Sequence, residues 1–279
     1  MDIPKHSELN ADNYTEFNAH MINKWIDEEQ YWGPVASHED YVKACGGDWE
    51  VGLAFDTVPK EWFSPYINLE THRLDGTALL GLAAGGGQQM PLLAASGAVC
   101  TVMDYADSQL ACESFVAARE GYRINIVKAD MTKPFPFDDN RFDILFHPVS
   151  NHFIEDVSHV WNECYRVLRP GGVLLAGMYN SIVYMFDDDR EDWDENTPLV
   201  AKFKLPWNPL RDAALYESYV EPDGDENLTF SHSLEETIGG QLKAGFVLTH
   251  LTEARNPGSL LSAYCPEYVS TRAVKPKSL

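Results

Sequence analysis

A chain of 279 residues with 44% hydrophobic content can bury one sizeable core, or a core plus a smaller cap, without disulfide or metal staples. Its formal net charge of −22 creates a negative field that opposes polyanions, so nucleic acid is not an expected partner. Five cysteines without a C-x-x-C pair fit a reduced, cytoplasmic setting, and no stretch approaches the roughly 20 apolar residues of a membrane helix, so neither export nor a membrane partner is expected.

The chain opens with Asn13 to Pro65, which reads as one or two helices rich in aromatics (Tyr14, Phe17, Trp25, Tyr31, Trp32, Tyr41) and then an irregular lead-in. Residues 1–65 are expected to form an N-terminal helical cap, and residues 66–279 one α/β domain. From Thr77 onward short apolar runs alternate with helix-period stretches, the signature of βαβ units and a largely parallel sheet. The expected strands are Ala78 to Ala83, Ala98 to Asp104, Ile124 to Ala129, Phe142 to His147, Val173 to Met178, Phe246 to Thr252 and Tyr268 to Val274.

Two of the intervening helices carry clear signals. One has Asp107 as a candidate N-cap, Leu110, Phe115 and Val116 on one face, and Gly121 as terminator. The other places Val157, Val160, Trp161, Cys164, Val167 and Leu168 at helical spacing and stops at Arg169-Pro170-Gly171-Gly172. The last two strands are separated by a loop without helical period, so they should pair antiparallel at the sheet edge. The result is a Rossmann-like, seven-stranded, mostly parallel sheet with an antiparallel edge strand. Between strands five and six, residues 180–231 form an insertion too long for a simple connection, a length typical of a lid. Its acidic run, Asp187 to Glu195, fails the calcium-loop spacing because Asp192 stands where the turn glycine belongs. No metal site is expected.

The first strand runs into Ala83-Ala84-Gly85-Gly86-Gly87-Gln88-Gln89 and then a helix. A glycine loop of this kind lets backbone approach a ligand closely and offers free N–H groups. The second strand ends in Asp104-Tyr105, where a carboxylate can accept both hydroxyls of a ribose. At the end of the third strand, the Asp130 carboxylate can accept from an adenine amine and the Met131 N–H can donate to the ring. A dinucleotide site would carry a third loop glycine where Met90 stands.

From Leu79 to Met178 the chain resembles the class I S-adenosylmethionine-dependent methyltransferases, in particular the methyltransferase type 11 group of bacteria. Gly85 and Gly87, Asp104, Asp130-Met131, Phe142-Asp143 and Leu168 to Gly172 carry the likeness. A likeness over nearly the whole chain, on Gly85 to Gln89, His147 to Asn151 and Ile238 to Phe246, is to an uncharacterised bacterial branch of that group.

The resemblance implies S-adenosyl-L-methionine as cofactor, held by Ala83, Gly85, Gly87, Gln88, Asp104, Tyr105, Asp130, Met131 and His147. It departs from the family at Gly81, where an acidic residue usually helps anchor the methionine end. His152 is the candidate base, with His147 second. Trp25, Trp32, Asn151 and Tyr179 are candidates for the substrate side or lid, since a sulfonium is attracted by aromatic faces. The loop after strand four, His147-Pro148-Val149-Ser150, lacks the residues that grip a flipped base, which points to a small-molecule substrate. A cofactor-binding protein without transferase activity and, further off, a nicotinamide-dependent oxidoreductase remain the alternatives. The sequence leaves the oligomeric state open.

Overall fold

The computed structural model describes residues 6–27, 33–186, 198–219 and 227–277. Trp32, Tyr31 and the acidic run from Asp187 to Glu195 lie outside them.

Helix α1 (Tyr14–Asp27) and the short α2 (His38–Cys45) precede the sheet. The alternation that follows is β1 (Ala78–Leu82), α3 (Met90–Ala95), β2 (Val99–Asp104), α4 (Asp107–Glu120), β3 (Asn125–Lys128), β4 (Phe142–His147), α5 (Val157–Val167) and β5 (Leu168–Tyr179). After a short α6 (Ala213–Tyr219) the chain finishes with α7 (Leu234–Ala244), β6 (Val247–Ala254) and β7 (Tyr268–Val274). All seven expected strands are present. They form one sheet in the order β3-β2-β1-β4-β5-β7-β6. The pairs among the first five are parallel, while β7 pairs antiparallel with both β5 and β6, so the last two strands close one edge as expected.

The strands read as nearly continuous apolar runs because both faces of the sheet are covered. Leu79, Ile144, Phe146, Val173 and Leu175 point into a core with Leu93 of α3 and with Trp49, Trp62 and Phe63 of the lead-in. The alternate residues Leu80, Leu82, Leu145, Leu174 and Ala176 meet Val160 and Trp161 of α5 and Phe246 on the other face. A third, smaller cluster joins Tyr14, Phe17 and Met21 of α1 to Tyr216 of α6 and to Leu228 and Phe230. The N-terminal helix and the insertion thus share apolar packing, whereas the lead-in packs beneath the sheet.

Local chemistry explains the boundaries. Asp156 caps α5 by accepting from the Ser158 N–H at 2.9 Å, and Ser233 with Glu236 forms a reciprocal capping box on α7. Three details differ from expectation. Ala106, not Asp107, is the N-cap of α4, and Asp107 pairs instead with Lys128 at 2.7 Å. Phe115 is exposed beneath the Arg119 guanidinium rather than sharing the buried face of Leu110 and Val116. Strand β5 begins at Leu168, before the Pro-Gly-Gly turn, because the Gly171 N–H pairs with the Lys275 carbonyl at 2.7 Å.

Candidate functional site

Strand order reverses between β1 and β4, and in open α/β sheets the crevice outside the carboxyl ends of the strands at that point is where ligands bind. A cavity of about 530 Å³ opens there. Its floor is Ala83 to Gly85 after β1, Met103 to Ala106 at the end of β2, Ala129 to Met131 after β3 and Pro148 to Ser150 after β4. Thr15, Asn18, Ala19 and Ile22 of α1 cover it, and Gly52 to Phe55, Tyr179, Asn256 and Tyr268 complete the wall.

Ala83 turns the chain out of β1 with φ of 45°, a left-handed conformation that costs an L-residue roughly 1–2 kcal/mol. Its N–H is held by the Met103 carbonyl at 2.8 Å, which keeps the turn beside the end of β2. Gly85 comes so close to Asp104 that a Cβ there would lie 2.9 Å from Oδ2. Oδ2 accepts from the Gly85 N–H at 3.1 Å, and Oδ1 accepts from the N–H groups of Tyr105 and Ala106 at 2.8 and 3.1 Å. Burial pushes the Asp104 carboxyl up from its ordinary pKa, and these three donors oppose the shift.

At the end of β3 the Asp130 carboxylate is held on both sides. Oδ1 accepts from the backbone N–H and the hydroxyl of Thr132, both at 2.8 Å, and Oδ2 accepts from the Thr15 hydroxyl of α1 at 2.8 Å. Asn18, one turn further along α1, donates to the carbonyls of Phe153 and Leu228 and accepts from the Leu228 N–H. Asn23 accepts from the Ser108 N–H at 2.8 Å. The covering helix is thereby pinned to the turn after β3, the segments at Phe153 and Leu228, and the first turn of α4.

Of the expected site residues, Ala83, Gly85, Gln88, Asp104, Tyr105, Asp130, Met131, His152 and Tyr179 line this one cavity. Four do not. Gly87 packs against α4, its N–H donating to Glu113 at 2.8 Å. The His147 ring is fully buried, with Nδ1–H donating to the Leu82 carbonyl at 2.9 Å and Trp161 against its face. Burial holds that imidazole at a pKa of about 4, and it cannot act as a base towards the cavity. Asn151 is spent on structure, donating to the Gly177 carbonyl at 2.7 Å while its own carbonyl accepts from His232. Trp25 is half-buried on α1 outside the lining.

His152 differs from His147 in that it reaches the cavity. It is 8% exposed, its Nδ1 has no hydrogen-bond partner, and its ring lies edge-to-face with Tyr179 at 4.6 Å. Burial, reinforced by His232 and His147, lowers its pKa to about 3.

Gly81 is explained by its neighbour. A Cβ there would lie 2.4 Å from Sδ of Met90, whose fully buried side chain fills the space above the strand. The same methionine stands where a dinucleotide loop has its third glycine, so the helix cannot come in close under a pyrophosphate. Thr15, Asn18, Gly52 to Phe55, Asn256 and Tyr268 were not legible as site residues. Thr15 and Asn18 sit in an ordinary amphipathic helix, and the others come from irregular or edge segments brought in only by the tertiary fold.

Comparison with known proteins agrees with this geometry. Residues 80–176 match the family model described as a methyltransferase domain. Over 259 residues the chain is 36% identical to the uncharacterised methyltransferase YbaJ of Bacillus subtilis, covering 92% of this chain and 97% of that protein. Among solved structures, a putative S-adenosylmethionine-dependent methyltransferase of Listeria monocytogenes superposes with a TM-score of 0.55 at 15% identity, covering 78% of this chain and 99% of that one. A methyltransferase of the same cofactor dependence from Mesorhizobium loti gives 0.54 at 16% identity, covering 77% and 98%. With the glycine turn, the acid ending β2 and the acid after β3 facing one cavity, the chain belongs to the class I S-adenosylmethionine-dependent methyltransferases, and S-adenosylmethionine is its cofactor.

Proposed function

We propose that the protein methylates a small, neutral or cationic molecule enclosed between the carboxyl edge of the sheet and α1, and that it does so in the cytoplasm. The observation that carries this reading is the cavity itself. It is concave and covered, and the charged side chains lining it are the carboxylates of Asp104 and Asp130, with no lysine or arginine among the lining residues. Such a pocket repels the phosphates of a nucleic acid, whose recognition depends on cationic side chains. Five unpaired cysteines fit a reducing compartment, and among the described residues no helix is long and apolar enough to cross a membrane.

In this reading Asp104 holds the ribose hydroxyls, Asp130 and the Met131 N–H hold the adenine, and the turn at Ala83 to Gly85 passes beneath the nucleoside. These residues suit the group: only a glycine lets the loop backbone lie this close to the Asp104 carboxylate, because a Cβ at Gly85 would collide with it, and that carboxylate is already aimed by backbone donors. S-adenosylmethionine supplies a methyl group activated by its sulfonium. What the protein adds is alignment of the acceptor with that methyl and exclusion of water. Helix α1, docked through Thr15, Asn18 and Asn23, serves as the cover, and α6 with residues 227–231 supports it from outside. We accordingly read α1 and the insertion as a cap on the methyltransferase domain.

The test is a calorimetric titration with S-adenosylhomocysteine and NAD, followed by assay of trideuteromethyl transfer into bulk tRNA and into a small-metabolite extract. Binding of the first ligand alone, with label in small metabolites, supports the proposal. Salt-sensitive labelling of tRNA would overturn it.

A further inference from the structure

Beyond the nucleoside-facing residues the cavity has a second region with its own character. Tyr179 and Tyr268, neighbours across the β5–β7 pairing, pack with ring centroids 4.7 Å apart, and the Tyr268 hydroxyl donates to the Tyr179 hydroxyl at 3.2 Å. His152 adds a third ring at 4.6 Å from Tyr179, and Phe55 a fourth at 5.2 Å from Tyr268. The wall runs from two side chains buried to more than nine-tenths, His152 and Tyr268, out to Phe55, which is 57% exposed. All four residues line the cavity, while Nδ1 of His152 is itself buried and has no hydrogen-bond partner among the described residues.

Three properties of this wall select among methyl acceptors. Aromatic faces attract positive charge, and among the described residues the charged side chains lining the same cavity are two carboxylates, so an acceptor that becomes cationic is favoured over an anionic one. Among the described residues, no group beside the wall is suited to removing a proton before transfer. The His152 ring resists protonation, the Tyr268 phenol is pushed well above its ordinary range by burial, and Asp104 and Asp130 are engaged by backbone and hydroxyl donors. An alcohol or phenol needs such a base early, but an amine already carries its lone pair. The wall is itself a set of aromatic faces ending at the exposed ring of Phe55, which suits an acceptor that carries an apolar body.

We propose that the methyl acceptor is an uncharged amine on an apolar body, seated against the wall of His152, Tyr179, Tyr268 and Phe55. This rests on the methyl-transfer reading of the cavity above. The nitrogen lone pair forms the new N–C bond as the C–S bond breaks, and the bonding pair stays on sulfur, leaving a neutral thioether. The positive charge passes from sulfur to nitrogen, and an N–H proton of the resulting ammonium then leaves to solvent. His152 contributes a ring to the wall and is not the group that keeps the proton.

The experiment uses the intact protein saturated with S-adenosylhomocysteine and two probes of matched body, benzyltrimethylammonium as product mimic and 3-phenylpropionate as anion. The ammonium should bind at least about tenfold more tightly, the equivalent of roughly 1.4 kcal/mol. Replacing Phe55, whose exposure makes its loss easy on folding, by Ala should weaken the ammonium about threefold or more while S-adenosylhomocysteine affinity stays unchanged. With labelled cofactor, 2-phenylethylamine should accept methyl in preference to 4-ethylphenol, 2-phenylethanethiol and 3-phenylpropionate. Equal or tighter binding of the carboxylate, an F55A variant indistinguishable from the parent towards the ammonium, or faster transfer to the phenol or thiol overturns the amine assignment. Failure of S-adenosylhomocysteine to bind would instead strike the cofactor site and leave a different signature.

Discussion

The Thr15 hydroxyl donates to Oδ2 of Asp130 at 2.8 Å, joining the covering helix directly to the carboxylate proposed to hold the adenine. Docking of α1 and cofactor binding therefore share a group, and by linkage each should strengthen the other. Thr15→Val is expected to weaken S-adenosylhomocysteine by about three- to tenfold, a fraction of the worth of a hydrogen bond to a charged group because Asp130 keeps its two Thr132 donors. In the parent protein, the ligand should slow hydrogen exchange of the α1 amides, and the variant should lose most of that protection. Unchanged affinity together with unchanged exchange would separate α1 from the cofactor site.

The contact between Gly81 and Met90 makes a stability prediction. Gly81→Asp restores the acid found at this position in the wider family but drives its Cβ into the Met90 thioether. Overpacking of this kind costs about 1–3 kcal/mol, and burying the carboxylate adds to it. Gly81→Asp should melt several degrees below the parent. Gly81→Ala combined with Met90→Ala should lose less stability than the sum of the two single changes, and strict additivity would contradict the packing explanation.

Glu113 supplies a pH signature. It is fully buried beneath the glycine loop, Oε1 accepts from the Gly87 N–H, Oε2 has no partner, and burial raises its pKa to about 8. A carboxyl that is protonated when folded and ionised when unfolded gives stability that is complete below its unfolded pKa and is lost as pH rises towards 8. Glu113→Gln removes that slope, so its melting temperature should gain on the parent between about pH 4.5 and 8. His152 and His147 act in the opposite sense. Their lowered values make the unfolded chain the better proton binder, so their contribution is present above about pH 6.5 and lost on acidification. Histidine ring signals of both should fail to titrate between pH 5 and 8. A parallel pH course for Glu113→Gln and parent, or a histidine midpoint near 6.5, would contradict these environments.

Much of the fold was legible because β-strands buried on both faces announce themselves as apolar runs, and because Gly121, left-handed in the structure, marks the end of α4. The residues on the cavity floor were legible for a related reason: Ala83, Gly85, Asp104, Asp130 and Met131 sit at the ends of successive strands, where order in the chain is order in space. Most of the aromatic wall was not. Phe55 and Tyr268 are far apart in sequence and meet only because β7 inserts beside β5. His147 stood second to His152 as candidate base and Asn151 stood as a substrate-side candidate, yet strand pleat and the 3-10 turn after β4 place the side chains of both in the core, and of the three His152 alone lines the cavity.

The assignment of Asp104 to the ribose is the central claim, and calorimetry of S-adenosylhomocysteine against parent and Asp104→Ala tests it most directly. Loss of hydrogen bonds to a charged group predicts a weakening of about 10- to 150-fold, the equivalent of about 1.5–3 kcal/mol, with the variant still folding cooperatively. A folded variant that binds S-adenosylhomocysteine as tightly as the parent would contradict it.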